Sequence, residues 1–181
     1  FTQNTSAEAS AMITRLSSLL RYSLYEGNQA LVPLQQEIQM LQDYIEIEKI
    51  RYGNQMDLHI DLPERTTNYF IVPLLLLPLV ENCFKHGTSQ MLEKPWVHLQ
   101  ATIVNDQLHV KLLNGKANED IKDGPVPGIG IRNVKERLSL LYPGKHELHI
   151  TSEEEVFIVN LKVELAIKKE VLLKKDKPVY A

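Results

Sequence analysis

Apolar residues recur every three or four positions near the start of the chain: Met12, Ile13, Leu16, Leu19, Leu20 and Leu24. That period predicts a helix over 6–26 with one wide apolar stripe. Thr5 or Ser6 is placed to cap it, and Gly27 to end it. The same period returns over 34–51, where Leu34, Ile38, Leu41 and Ile45 form a stripe flanked by Ile47 and Ile50, closed by Gly53. The short link "EGNQALVP" between the two predicts an antiparallel helical hairpin. Such a hairpin buries too little surface to stand alone, so it needs a following domain or a second copy.

The period then changes to two. "QMDLHIDL" (55–62), "WVHLQATIV" (96–104), "LHVKLL" (108–113), "HELHIT" (146–151) and "VFIVNLKVEL" (156–165) alternate as strands do. "NDQ" and "SEEE" are the turns of two hairpins. Helices are expected from Pro73 to Gly87 and over 131–142. The order strand, helix, strand, strand, helix, strand, strand predicts an α+β fold: a two-layer α/β sandwich, a mixed sheet covered by helices and preceded by the hairpin. The tail from Lys168 is charged and expected to fray.

The stretch "PLLLLPLVENCFKHG" (73–87) carries the densest chemistry. At about 100° per residue, Leu76, Leu77, Val80, Cys83, Phe84 and Gly87 share one side of a helix. Glu81, Asn82, Lys85 and His86 share a polar arc roughly 140° wide. A solvated face with an i,i+4 ion pair would account for such an arc. A carboxylate, an amide, an ammonium and an imidazole aimed at one place would also suit a ligand.

Residues 114–130, "NGKANEDIKDGPVPGIG", follow a strand and precede a helix, and hold four of the eight glycines. This is long for a connector. Glycines at a helix N-terminus let backbone N–H groups approach an anion, with Arg132 and Asn133 at the mouth. An ordinary surface loop is the plainer reading.

Composition narrows the classes. Net charge is −3, so no chain-wide basic field favours nucleic acid. A single cysteine, Cys83, excludes an intrachain disulfide and a cysteine zinc cluster, and its place on the apolar face predicts core packing. The histidines lack metal-ligand spacing, and His98 and His109 are expected to face solvent. Trp96 is expected in the core or at an edge. The longest apolar run, 71–80, contains two prolines and is too short to span a bilayer. The chain opens on Phe1 without a signal peptide, and is expected to be a soluble, cytoplasmic piece of a longer protein.

"LPLVENCFKHG" followed by "GIGIRNVKERLSLLYPGKHEL" resembles the ATP-binding domain of sensor histidine kinases of the GHKL superfamily. The LytS-type branch is the most similar. "LSSLLRYSLYE" and "VPLQQEIQMLQDYIEIEKIRYG" resemble the helical part that precedes that domain, so the likeness runs over about 10–165. It implies a partial dimerisation/phosphoacceptor-type hairpin at 1–53, an ATP-binding kinase domain at 54–167 and a charged tail at 168–181. The implied cofactors are ATP and Mg²⁺. Asn82 would ligate Mg²⁺, and Glu81 would be the catalytic residue that accepts or orients the proton of the phospho-accepting histidine. Lys85, His86, Gly87, Asn114, Gly115, Gly128, Ile129, Gly130, Arg132 and Asn133 would hold the nucleotide, under a lid at 116–127.

Two departures accompany the resemblance. Leu113 stands where the family's adenine-reading Asp is expected, and Asn114 serves only with a one-residue shift of register. The family's phospho-acceptor segment has no match, since the six histidines (59, 86, 98, 109, 146 and 149) all lie beyond the hairpin. The implied function is phosphoryl transfer from Mg-ATP to a histidine on a missing upstream segment, then to a response regulator. The fragment alone would be inactive. The implied partners are a second copy, as a homodimer, and the regulator; no nucleic acid is implied. Membrane contact, at its cytoplasmic face, would come only through segments missing from this chain. The alternative is a non-catalytic, nucleotide-poor interaction or dimerisation module with a degenerate ATP site.

Overall fold

The computed structural model describes residues 2–88, 95–115 and 129–168. The long helix α1 spans Thr2–Tyr25 and α2 spans Leu34–Tyr52. They pack with Arg15 against Asp43 and Tyr22 against Glu37, pairings that require opposite directions. Because α1 already runs from Thr2, Thr5 and Ser6 lie inside the helix and do not cap it. Gly27 follows the helix closely: a side chain there would meet the Ser23 carbonyl at 2.5 Å and Leu74 at 3.1 Å.

Five strands form the main sheet: β2 (Asp57–Asp61), β4 (Trp96–Val104), β5 (Gln107–Gly115), β6 (His146–Ser152) and β7 (Val156–Glu164), in the order β2-β4-β5-β7-β6. The β2–β4 pair is parallel and the others are antiparallel, so the sheet is mixed. Asn105 and Asp106 turn the β4–β5 hairpin with φ of 51° and 61°, a left-handed pair that asparagine and aspartate tolerate well. Strict alternation buries Val97, Leu99, Ala101, Leu108, Val110, Leu112, Val159, Leu161 and Val163 on one face. Against that side lie α3 (Leu77–Thr88) and α4 (Ile129–Leu141), α3 touching β4 and β5 and α4 touching β6.

A second, three-stranded sheet has no clear sequence signal. It joins β1 (Val32–Pro33), β3 (Tyr69–Ile71) and β8 (Ala166–Ile167) in the order β1-β3-β8. These strands are two or three residues long, too short for alternation to mark them. The sheet ties the link between α1 and α2 to the body of the molecule. Leu34, Ile38, Leu41 and Ile45 of α2 accordingly share one core with α3, α4 and the main sheet. On α1, by contrast, Ile13, Leu16, Leu20 and Leu24 are exposed.

The helix expected from Pro73 begins only at Leu77. Residues 73–76 form a turn in which Leu74 has φ of 56°, a left-handed conformation that breaks the helical run. The tail beyond Lys168 lies outside the described residues.

Candidate functional site

The polar arc on α3 survives the later start of the helix. Leu76, Val80, Cys83 and Phe84 are buried, as is Leu79. Glu81 and Lys85 are exposed and Asn82 is half-buried between them. His86 and Gly87 continue the helix, but their side chains lie outside the described residues. The Cys83 thiol is completely buried, and burial pushes its pKa up to about 12.

Helix α2 backs this arc. Tyr44 meets Phe84 edge-on with ring centroids 5.7 Å apart. Glu48, one turn further along α2, is buried, and its Oε2 has no hydrogen-bond partner among the described residues; the Arg51 guanidinium stands 3.6 Å away. Glu81 is held above the usual carboxylate range, first by its partial burial and then by the negative charge of Glu48. Two carboxylates facing one region cannot both ionise freely. This makes Glu81 a stronger proton acceptor than an ordinary exposed carboxylate.

The second wall is the end of β5. Leu112 and Asn114 face the helices and are fully buried; Leu113 between them faces the opposite side of the sheet. Leu113 is therefore not the inward-facing residue at this strand end; Asn114 is. The Asn114 amide donates Nδ2 to the Gly115 carbonyl at 2.9 Å. Its Oδ1 has no partner among the described residues. A buried amide oxygen left without a donor costs free energy, about 1–3 kcal/mol, unless a ligand or water supplies one. Gly115, also buried, ends the strand.

The third wall is the first turn of α4. A side chain at Gly130 would lie 3.7 Å from the Pro78 ring, so this turn sits close to the start of α3. Arg132 and Asn133 are exposed there; Arg132 lies 4.0 Å from Glu136 on its own helix, within reach of an incoming anion. Ile129 opens the helix, with its side chain outside the described residues, as are Gly128 and the expected lid at 116–127. The structure thus packs α3 against β5 and against α4, with Gly130 beside Pro78. A helix start, an amide oxygen without a partner among the described residues and a raised carboxyl thus stand on elements that pack against one another.

Sequence reasoning missed Glu37, Glu48 and Tyr44. A signal was present: Glu37 and Glu48 fall in phase with Leu34, Leu41 and Ile45 on the buried stripe of α2. A carboxylate at an apolar-phase position marks a built interaction. Of the two histidines expected to face solvent, His98 is exposed and His109 half-buried. Trp96 is half-buried at the start of β4, edge-on to His98 at 5.1 Å.

Comparison with known proteins places this geometry in context. Residues 1–56 match the family model described as histidine kinase. The sensor protein kinase HptS of Staphylococcus aureus (strain bovine RF122 / ET3-1) is 28% identical over 162 residues, which is 82% of this chain and 30% of that protein. The chain therefore spans about a third of the length of such relatives. Among solved structures, the histidine kinase domain of a blue-light activated histidine kinase from Erythrobacter litoralis EL346 is similar with a TM-score of 0.54 at 17% identity, over 94% of this chain and 80% of that one. The catalytic domain of histidine kinase ThkA is similar with a TM-score of 0.52 at 12% identity, over 74% of this chain and 95% of that one. The fold is the α+β sandwich of histidine kinase ATPase domains preceded by a helical hairpin.

Proposed function

We propose that this chain, which is part of a histidine kinase of the sensor type, binds Mg-ATP between α3, the end of β5 and the start of α4 and passes the γ-phosphoryl to a histidine outside this chain. An aspartate of a response regulator would then receive it. In this reading residues 1–53 are a partial dimerisation and phosphoacceptor-type hairpin that lacks the acceptor itself, 54–167 hold the nucleotide, and 168–181 are a tail. Attachment to a membrane would lie in other segments; among the described residues no helix is long and apolar enough to cross one.

The observation that carries the reading is the buried Oδ1 of Asn114, which has no partner among the described residues. Adenine offers an N–H donor at its 6-amine, where guanine carries a carbonyl. With Nδ2 donating to Gly115, the amide oxygen would accept that donor. The phosphates would lie toward Lys85, His86, Gly87 and the 128–133 segment, where ammonium, guanidinium and helix-start N–H groups meet negative charge. Asn82 would supply an oxygen to Mg²⁺, which when bound neutralises charge on the transferring phosphoryl. Glu81 would take or orient the proton of the attacking imidazole. The non-catalytic alternative draws its support from Leu113 in the base-reading place; the inward facing of Asn114 instead of Leu113 favours the nucleotide reading.

Calorimetry with ATP and with inosine triphosphate tests the reading directly. Inosine carries a carbonyl where adenine has its amine. We expect Mg²⁺-dependent binding of ATP, about tenfold weaker binding of the inosine analogue, and no such preference in Asn114→Ala. Equal affinity of the wild type for both would remove Asn114 from base recognition; no binding of either would remove the nucleotide reading.

A further inference from the structure

The turn that opens α3 is held by side chains from two helices, one of which is tied to a third. Glu37 of α2 is fully buried. Its Oε1 accepts the N–H groups of Leu75 at 3.0 Å and Leu76 at 3.2 Å, and its Oε2 accepts that of Leu74 at 3.0 Å. Oε2 also accepts the Tyr22 hydroxyl, from α1, at 2.6 Å. From α4, Arg137 donates to the carbonyls of Leu74 at 2.7 Å and Pro73 at 2.8 Å. The Val72 N–H donates to the Tyr142 hydroxyl at 2.9 Å.

This arrangement is more than a helix cap. Leu74 holds φ of 56°, which a leucine adopts only where its surroundings impose it. The carboxylate collects three successive N–H groups that the bend at Leu74 turns inward. A buried carboxylate without such partners would be costly, so Glu37 and the turn conformation depend on each other. Helix α3 leaves this turn directly, and Glu81 and Asn82 follow within its first two turns.

We propose that Glu37 is a positioning residue for the nucleotide site, fixing the direction in which α3 presents Glu81 and Asn82, and that Tyr22 makes this hold depend on where α1 lies. The proposal rests on the nucleotide reading above. Glu37 touches no substrate; it acts through residues 74–76. Tyr22 lies three residues from the end of α1 and is the hydrogen-bonded link from α1 to this turn among the described residues. A slide or rotation of α1 along α2 would break that bond while the bonds from α2 and α4 remain. The hairpin thereby gains a route to the site that does not pass through the sheet. Small displacements of catalytic groups have large effects on binding and transfer.

The test uses this chain and three variants. Tyr22→Phe deletes one hydroxyl and keeps the packing. Glu37→Gln keeps the shape but sets an amide NH₂ against the Leu74 N–H or the Tyr22 hydroxyl. Ile150→Ala, on the far edge strand β6, is a control for general loss of stability. Amide hydrogen exchange over 74–80 and Mg-ATP affinity by calorimetry are read for each. We expect Tyr22→Phe to speed exchange of the 74–76 amides about tenfold and to weaken Mg-ATP several-fold. Glu37→Gln should do both more strongly, and Ile150→Ala neither. If Glu37→Gln does not fold, Tyr22→Phe still decides. Wild-type protection of 74–76 in Tyr22→Phe would overturn the link to α1. Faster exchange with unchanged nucleotide affinity, or equal loss of affinity in Ile150→Ala, would overturn the positioning role. A wild type that binds no nucleotide would sink the site reading and the positioning claim together, while the exchange data would still show whether Tyr22 and Glu37 hold the turn.

Discussion

Leu113 and Asn114 are neighbours on β5 that face opposite sides of the main sheet. Leu113 pairs with His98 and Ile158 on the side away from the helices, and Asn114 is sealed beneath the helices with its amide oxygen unpartnered. In the proposed reading the inward residue, not the one matching a motif by counting, would meet the nucleotide. Leu113→Asp should therefore leave Mg-ATP affinity within about twofold, and Asn114→Ala should lower it about tenfold, roughly 1.4 kcal/mol. Calorimetry on the two variants checks both. A large gain from Leu113→Asp would mean that the strand reads the base in the other register.

How much of this was legible in the sequence depends on the period of each segment. The helices α2 and α4 and the five strands of the main sheet carry long apolar periods, and they fall within two residues of where the pattern sets them. The alternation of β5 also contained the facing of Asn114: Val110, Leu112 and Asn114 share a phase, and the phase outranks the motif. The start of α3 was not legible. Nothing local to "PLLLLP" says that a glutamate 37 residues upstream bends Leu74 and delays the helix. The small sheet β1-β3-β8 was equally hidden, since tertiary pairing alone defines strands of two residues.

The raised pKa of Glu81 makes a pH prediction with a definite sign. Its causes are partial burial first and the Glu48 charge second. As a base it must be ionised, so phosphoryl transfer should fall as pH drops through a pKa above the ordinary carboxylate range. Glu48→Gln removes the second cause, lowers the Glu81 pKa, and should move the acid limb to lower pH without restoring the ordinary value. The measurement is a pH–rate profile on a longer chain that carries the acceptor histidine. An acid limb that stays in place, or moves upward, would take Glu48 out of the account.

Without an acceptor on the hairpin, the 181-residue chain should not label itself from ATP. A longer chain that supplies the upstream segment should form acid-labile phosphate, and Glu81→Gln should reduce its rate by about a hundredfold or more, the range typical of a general base. Stable labelling of the short chain at one of its own histidines would reverse the argument.

Cys83 offers a probe of the core beneath the same helix. Its thiol has no exposure, and burial pushes its pKa up to about 12, so almost no thiolate exists at neutral pH. In native buffer an aromatic disulfide reagent should leave it unmodified for hours. In denaturant, modification should track the unfolding of the sheet domain. Rapid reaction of the folded chain would mean that α3 opens locally, and would weaken any claim that its polar arc is held in place.

The apolar stripe of α1 makes the last prediction. Ile13, Leu16, Leu20 and Leu24 are 66%, 50%, 57% and 70% exposed, and lie at the spacing of one helix face. The opposite side packs on α2 through Arg15, Leu19 and Tyr22, so the stripe does not fold back onto its own domain. Covering one leucine fully is worth about 1.5–3 kcal/mol, and four such side chains on each of two copies would drive association. The partner we expect is a second copy, packed about a two-fold axis with the first helices side by side. Sedimentation of the wild type should show a concentration-dependent monomer–dimer equilibrium. Leu16→Asp would place a charge in the middle of the stripe and should shift the equilibrium to monomer, yet leave the thermal transition of the sheet nearly unchanged, because the residue is solvent-exposed in the single chain. A wild type that stays monomeric at high protein concentration would remove α1 as a self-association surface in this chain. A Leu16→Asp variant that unfolds would show instead that the stripe is packed within the monomer, against its exposure here.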